Sequence, residues 1–452
     1  MAEFQPVLLT LPSLSPALVM EVLPYGLTFH RIIVQADGRT HDIVIGPEQP
    51  DGHVTQKYTN TIIGRYANRI PVGKHALERN GVRAEFEAQA NESPRVSLHG
   101  GPSGFNTRTW SLIDITPSSS SPPSLFSKTE LAHLSPSNYP SNFGLFRYTS
   151  PDGEQGYPGE LLVEALVALV PPAEQDKTYL RPGENKTEEE YNLGSIVYVY
   201  RAKVNKGVTP VNLTNHWGFN LDASLKENDK LADVRSHTLK MKADRIVARD
   251  ADSLNTNNFI STSSASAHNH NGKKIGEDYP EAGYDDFYVF QPQKINIPKR
   301  LPLSSLTDSL DLVKDLLTPA KNSSQTSQTS SSSSSSRGAR TDPVVELASE
   351  KSGLKLVFDT NQSGAMFYSN GLSKATSGAR KKIHGGSGIK DHGDAYEPGT
   401  AAFLEFHDIL SAFLDPANKN KEDTLLTSDE LYNNYVRCDV MFKEPVPAQR
   451  SA

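Results

Sequence analysis

Residues 211–221 read V-N-L-T-N-H-W-G-F-N-L, and only a β-strand keeps such a period-two pattern on two separate faces. Val211, Leu213, Trp217, Phe219 and Leu221 fall on one face, with Asn215 the exception, and that face belongs in a core. Asn212, Thr214, His216, Gly218 and Asn220 fall on the other. A strand this polar on one side is either exposed there or lines a wet cleft. In a cleft, the His216 imidazole can accept and donate protons near neutral pH. On an exposed face it has no such task, so its meaning rests on partners elsewhere in the chain.

Further strands surround this one. Residues 27–34 and 42–45 are apolar runs set off by Tyr25-Gly26 and Asp37-Gly38, the pattern of strands joined by tight turns. Residues 161–170 are apolar on both faces, as in a buried strand, and 195–204, 238–243, 344–347, 354–358, 365–368, 401–408 and 436–442 add more. Leu306, Leu310, Val313 and Leu317 stand at helical spacing and predict one short amphipathic helix. Two stretches break the pattern: 116–141 shifts to Ser and Pro, and 318–341 contains the serine run 330–336. Neither has the apolar content to fold, and strand-like sequence resumes after each. They read as disordered insertions within one domain spanning 1–452, which accounts for a hydrophobic fraction of only 36% in 452 residues.

Charge and cysteine content narrow the partners. A net charge of −7 argues against nucleic acid and anionic membrane, both of which call for clustered Lys and Arg. Cys438 is the only cysteine, so no intrachain disulfide or thiolate cluster can form, as suits a reducing compartment. Pro12 and Pro16 interrupt the N-terminal apolar residues, and no Lys or Arg precedes Arg31, so no signal peptide is expected. No apolar run is long enough to span a bilayer. The expectation is a cytoplasmic protein with a small uncharged ligand; oligomeric state has no signal in the sequence.

Candidate chemistry sits in four places besides His216. In T-I-I-G-R-Y-A-N-R-I, residues 61–70, Arg65 and Arg69 lie among isoleucines, as a structural salt bridge or as a ligand contact whose planar fork suits vicinal hydroxyls. In L-H-G-G-P-S-G-F, residues 98–105, Gly100 and Gly101 permit positive φ or close backbone approach beside His99. Asp285 and Asp286 head the aromatic strand D-D-F-Y-V-F, as turn formers or ligand contacts. In A-A-F-L-E-F-H-D, residues 401–408, Glu405 shares a face with Ala401, Phe403 and His407. A carboxylate there is costly unless paired, with Arg69 one available partner, or used as a base with a raised pKa. The His268-x-His270 pair has no third metal ligand in view, and G-G-S-G at 385–388 does not follow a strand as a phosphate loop would.

Taken together, G-R-Y-A-N-R-I at Gly64, L-H-G-G-P-S-G-F at Leu98, S-P-D-G-E-Q-G-Y-P-G at Ser150, N-L-T-N-H-W-G-F-N-L at Asn212, G-Y-D at Gly283 and F-L-E at Phe403 resemble the aldose 1-epimerase (galactose mutarotase) family, in family order. The resemblance covers roughly residues 20–445. It implies a large antiparallel β-sandwich of the galactose mutarotase-like supersandwich kind, with a sugar site in a cleft of the sheet.

The resemblance further implies that Glu405 is the general base and His216 the general acid, facing each other across a pyranose. His99 holds the sugar near its ring oxygen, Asp285 and Arg69 bind hydroxyls, and Asn68 and Trp217 touch the sugar. Ring opening and closure then interconvert anomers of hexoses such as glucose and galactose by proton transfer alone, with no cofactor and no metal. Trp217-Gly218 stands where the family has Ser-Tyr, His407 where Gln is common, and Met366 where a sugar-binding Gln is frequent. Those departures alter the pocket, and they leave open a non-catalytic sugar-binding protein or an epimerase of a phosphorylated hexose.

Overall fold

Alternating strands must find partners for their backbone groups, and in the computed structural model they do so in antiparallel ladders. Residues 2–115, 123–134, 141–173, 190–225, 232–293, 297–319, 343–376 and 378–445 are described. Among them a six-stranded sheet runs in the order Trp217–Phe219, Ala402–His407, Gly364–Tyr368, Asp285–Phe290, Ala243–Arg249, Asn255–Ser261. A ten-stranded sheet is centred on the long strands Leu161–Val170, Tyr191–Val204 and Glu430–Phe442, and a four-stranded sheet is formed by Val7–Thr10, Leu18–Leu23, Thr28–Ala36 and Arg39–Asp42. The N-terminal apolar residues are thus a hairpin, Val7 pairing with Val22 and Thr10 with Val19.

One face of each sheet meets the others in a shared core. Ala402, Leu404 and Phe406 of the six-stranded sheet pack with Tyr198, Phe358 and Val436 of the ten-stranded sheet and Phe29 of the four-stranded one, all fully buried. Burying side chains of this size stabilises the fold by about 1.5–3 kcal/mol each. Alternation then sends Phe403, Glu405 and His407 to the opposite face of the six-stranded sheet, and that face carries the candidate chemistry.

Residues 211–221 keep their two faces but not one continuous ladder. Val211, Leu213, Trp217, Phe219 and Leu221 all lie in the shared core. The strand breaks into Thr214–Asn215 and Trp217–Phe219 because its partners change. The His216 N–H donates to Thr61 O at 2.9 Å and the Asn60 N–H to His216 O at 2.8 Å, whereas Trp217 pairs with Leu404. Most of the polar face is buried and satisfied internally; Asn212, for example, donates to Asp408 O at 3.0 Å and accepts from Asp408 N–H at 3.0 Å.

Two expectations are corrected. The segment around Leu306, Leu310, Val313 and Leu317 holds a short 3-10 turn, Leu303–Ser305, and no α-helix. Its backbone is committed to other segments: Thr129 N–H donates to Asp308 O at 3.1 Å, and Leu312 N–H to Glu130 Oε1 at 2.9 Å. The same partners explain the second correction. Within 116–141, residues 123–134 include the α-helix Lys128–Ala132, begun by a capping box in which Ser127 Oγ accepts from Glu130 N–H. Glu130 also forms a bidentate pair with the fully buried Arg201, at 2.7 and 2.6 Å. Residues 116–122 and 135–140 of that stretch, and 320–341 of the second Ser-rich stretch, lie outside the described residues. No helix among the described residues is long and apolar enough to cross a membrane.

Candidate active site

Strand register decides which side chains meet on the outer face of the six-stranded sheet. Trp217 pairs with Leu404 and Gly218 with Phe403; one residue further along, the same register sets His216 opposite Glu405. Glu405 pairs in turn with Met366, and Met366 with Phe287. The neighbouring row runs Gly218, Phe403, Tyr368, Asp285. Carrying the Ile246–Tyr288 register three residues on sets Arg249 opposite Asp285. Directly opposed side chains are neighbours, so His216, Glu405 and Asp285 converge without any further device.

His216 Nε2 lies 3.3 Å from Glu405 Oε1. No sugar ring fits between groups so close, which corrects the expectation that they face each other across a pyranose. They stand side by side, an arrangement suited to two oxygens borne by one carbon. The His216 ring is walled by Phe403 at 4.7 Å, Tyr368 at 6.4 Å and Tyr58 at 6.5 Å between centroids. Gly218 is needed beneath Phe403, since a Cβ on it would sit 2.6 Å from that ring.

His99 reaches the same place from a loop. A Cβ on Gly100 would lie 2.1 Å from the Gly64 carbonyl oxygen, and a Cβ on Gly64 would lie 2.4 Å from the Phe105 ring. The two glycine motifs therefore interlock backbone against backbone, tied by Phe105 N–H to Gly64 O at 3.0 Å and His99 N–H to Asn68 O at 3.1 Å. The Asn68 N–H donates to His99 Nδ1 at 3.2 Å. Nδ1 is thus an acceptor, and the neutral ring carries its proton on Nε2. His99 and Tyr58 take left-handed φ values of 52° and 70°, conformations that surrounding structure must enforce and that gather at ligand sites.

Electrostatics follow from burial. Burial pushes the Glu405 carboxyl well above its usual range, with Asp285 adding to the rise and Arg69 opposing it. The same desolvation lowers His216 to about 4 and holds His99 well below 6.5. A buried acid and a buried base side by side are most stable sharing one proton with no net charge. Glu405 Oε2 is buried without a hydrogen-bond partner among the described residues, an acceptor left open. One ligand atom each from His99, His216 and Glu405 lie within 4.8 Å of one another, a set able to hold a divalent ion; acid/base chemistry uses the same three groups without one.

Arg65 and Arg69 divide the alternatives weighed for them. Arg65 is buried and structural, donating to the carbonyls of Ser150, Pro151 and Gly159 at 3.0, 2.9 and 2.7 Å. It pins the S-P-D-G-E-Q-G-Y-P-G turn. Arg69 lies at the cleft, but its Nε and Nη2 donate to Glu92 at 2.7 and 2.8 Å while Nη1 reaches Asp285 Oδ2 at 3.4 Å. It forms no ion pair with Glu405 among the described residues.

Trp217 is corrected: it is fully buried and packs on Phe29, Tyr198 and Phe358 at 5.7, 5.4 and 5.7 Å. It faces the core, on the side opposite His216, and cannot touch a ligand in the cleft. Met366 packs with Phe287 and Leu410 in an apolar cluster, and His407 is fully buried with Nδ1 on Asp408 O at 2.7 Å. His268 Nδ1 and His270 Nε2 both bond the Tyr288 hydroxyl, at 2.8 and 3.0 Å. Glu92, Arg249 and Tyr58 escaped the sequence reading. Glu92 lies in a polar loop like any other and Arg249 ends an ordinary strand, while only the nearness of Tyr58 to the Gly64 motif hinted at its place.

A model of the aldose 1-epimerase family matches residues 15–174 and 182–434. The chain is 29% identical to galactose mutarotase of Bos taurus over 238 residues, 52% of this chain and 53% of that protein. It is 26% identical to aldose 1-epimerase of Escherichia coli (strain K12) over 293 residues, 63% of this chain and 68% of that protein. The match thus spans about half the length of the mammalian relative. Among solved structures, the GalM/aldose epimerase homologue from C. elegans superposes with a TM-score of 0.62 at 18% identity, covering 97% of this chain and 99% of that one. Galactose 1-epimerase from Lactobacillus acidophilus NCFM gives 0.58 at 14% identity, covering 98% and 100%. Both are likenesses of fold.

Proposed function

The chain belongs to the aldose 1-epimerase family, and on that premise we propose that it interconverts the α and β anomers of a neutral aldohexose such as glucose or galactose. The observation that carries the reading is the His216–Glu405 pair at 3.3 Å with His99 beside it. With the one proton of the pair on His216, Glu405 takes the proton of the anomeric hydroxyl while His216 protonates the ring oxygen. The bond from the anomeric carbon to the ring oxygen breaks, its electron pair stays on that oxygen, and the aldehyde forms. One proton has then moved from His216 to Glu405 by way of the sugar. Rotation beside the aldehyde carbon and closure with the roles reversed returns it and gives the other anomer.

His99 Nε2–H donates toward the ring oxygen, Asn68 holds His99, and Asp285 and Arg69 receive hydroxyls. A phosphorylated hexose is less favoured, because Arg69 and Arg249 already pair with Glu92, Asp285 and Asp286. The test is polarimetry or anomeric-proton NMR on freshly dissolved α-glucose and α-galactose. Equilibration faster than in buffer, lost in Glu405→Gln, is the expected result; equilibration at the buffer rate with every aldose tried would refute it.

A further inference from the structure

Asp285 is held by more than Arg69. Arg249 Nη1 lies 3.2 Å from Asp285 Oδ2, its Nη2 donates to the backbone carbonyl of Asp285, and that same nitrogen lies 3.6 Å from Asp286 Oδ1. Consecutive strand residues point to opposite faces, so Arg249, at the end of Ala243–Arg249, grips both faces of the Asp285–Phe290 strand at its first turn of the pleat. Arg69 gives Asp285 a single end-on contact and commits the rest of its fork to Glu92. The result is an alternating chain, Glu92, Arg69, Asp285, Arg249, Asp286, with three carboxylates to two guanidiniums. Both arginines meet Asp285 on Oδ2, and Oδ1 accepts no hydrogen bond among the described residues.

Resting on the reading of the site as a sugar epimerase, we infer that Arg249 is a positioning residue that sets substrate specificity: it fixes Oδ2 and the backbone of Asp285, so that Oδ1 is left to accept one particular hydroxyl of the sugar. A planar fork with two fixed donors can orient a carboxylate in this way, and a lysine, a point charge on a flexible stem, cannot. The excess of carboxylates further selects neutral polyols over anionic sugars on this wall.

The experiment measures kcat and KM by polarimetry, and sugar affinity by calorimetry, for the full chain and for Arg249→Met, Arg249→Lys, Asp285→Asn and the double variant Arg249→Met/Asp285→Asn. Each is tested on the aldose the native chain uses and on its monodeoxy derivatives. Arg249→Met is expected to raise KM about tenfold, the weight of one charge-assisted hydrogen bond, with kcat near the native value, and Arg249→Lys to recover only part of it. The double variant is expected to be no worse than Asp285→Asn, and the loss to vanish on the one deoxy sugar that lacks the hydroxyl bound by Asp285. Should Arg249→Met fail to fold, Asp286→Asn removes the far anchor of the same guanidinium and is expected to give the same pattern more weakly. Native KM, a fall in kcat alone, or an equal loss on every deoxy sugar overturns the inference while leaving the epimerase reading intact. A native chain that neither binds nor equilibrates any sugar overturns both.

Discussion

Glu405→Gln separates two consequences of burying a carboxyl against His216. Glutamine has the same shape, and its amide can donate to His216 Nε2 as a protonated carboxyl does, yet it cannot ionise. An unfolded Glu405 ionises near 4.5, whereas burial keeps the folded carboxyl protonated well above that pH. Between the two values the folded state holds one more proton than the unfolded state, so the unfolding free energy falls by about 1.4 kcal/mol per pH unit as pH rises. The contribution is complete below 4.5 and is lost on the way up to the folded value. The glutamine variant lacks that slope, so the native chain loses stability relative to it as pH rises above 4.5 toward the folded value. Activity moves the other way, since losing one acid/base partner costs about 10²–10⁴-fold. Urea unfolding of both proteins near pH 5, 6 and 7, followed by the fluorescence of Trp110 and Trp217, the two tryptophans of the chain and both buried, gives the stabilities. Polarimetry gives the rates. A stability difference that stays constant over this range would refute the claim that burial governs the carboxyl, and a native rate would refute its part in catalysis.

Trp217→Ala should destabilise the fold by about 3–5 kcal/mol while leaving KM unchanged below the unfolding transition; a raised KM with native stability would restore it to the sugar site. Gly100→Ala places a methyl group 2.1 Å from the Gly64 carbonyl oxygen at a φ of 86°, so thermal unfolding should show a loss of about 1–3 kcal/mol and kcat should fall as His99 shifts. The rate is expected to drop as pH falls through about 4, where the pair gains a second proton it cannot use, and to drop again at high pH once the pair loses the one proton it shares; NMR exchange rates across the range check this, and a decline already centred near 6.5 contradicts it. Arg65→Met strands the carbonyls of Ser150, Pro151 and Gly159, and a loss of at least about 1–3 kcal/mol, the cost of one unsatisfied buried acceptor, should appear with faster proteolysis near residue 153.

Sequence alternation made the β-class legible, along with the placement of His216 on a polar face and of Glu405 beside Phe403 and His407, because period two depends on nothing beyond the strand itself. It could not show that the two would touch, which is a matter of register between strands 189 positions apart. Trp217 was misplaced for an instructive reason: its alternation pointed to the core, and its adjacency to His216 pointed to the ligand. Neighbours in a strand face opposite ways, and the alternation was right. The spacing of Leu306 to Leu317 was helical, but Leu306 and Leu310 pack in one apolar cluster and Val313 and Leu317 in another, so tertiary contacts overrode a local period. Arg249 and Glu92 had no local signature at all, since each acquires its role only through a partner brought in from elsewhere.

The crossing rows of the six-stranded sheet bind heredity to architecture. Deleting one residue inside Ala402–His407 would invert the parity of everything after it, driving a carboxyl into oil and a leucine into the cleft at a single stroke. Residues 369–401, which join two of those strands, follow no such alternation and are held instead by single anchors, Lys381 on Asp42 and His384 on Tyr396. Insertions between such anchors leave the sheet in register, while the pleated floor tolerates changes of side chain but never of count.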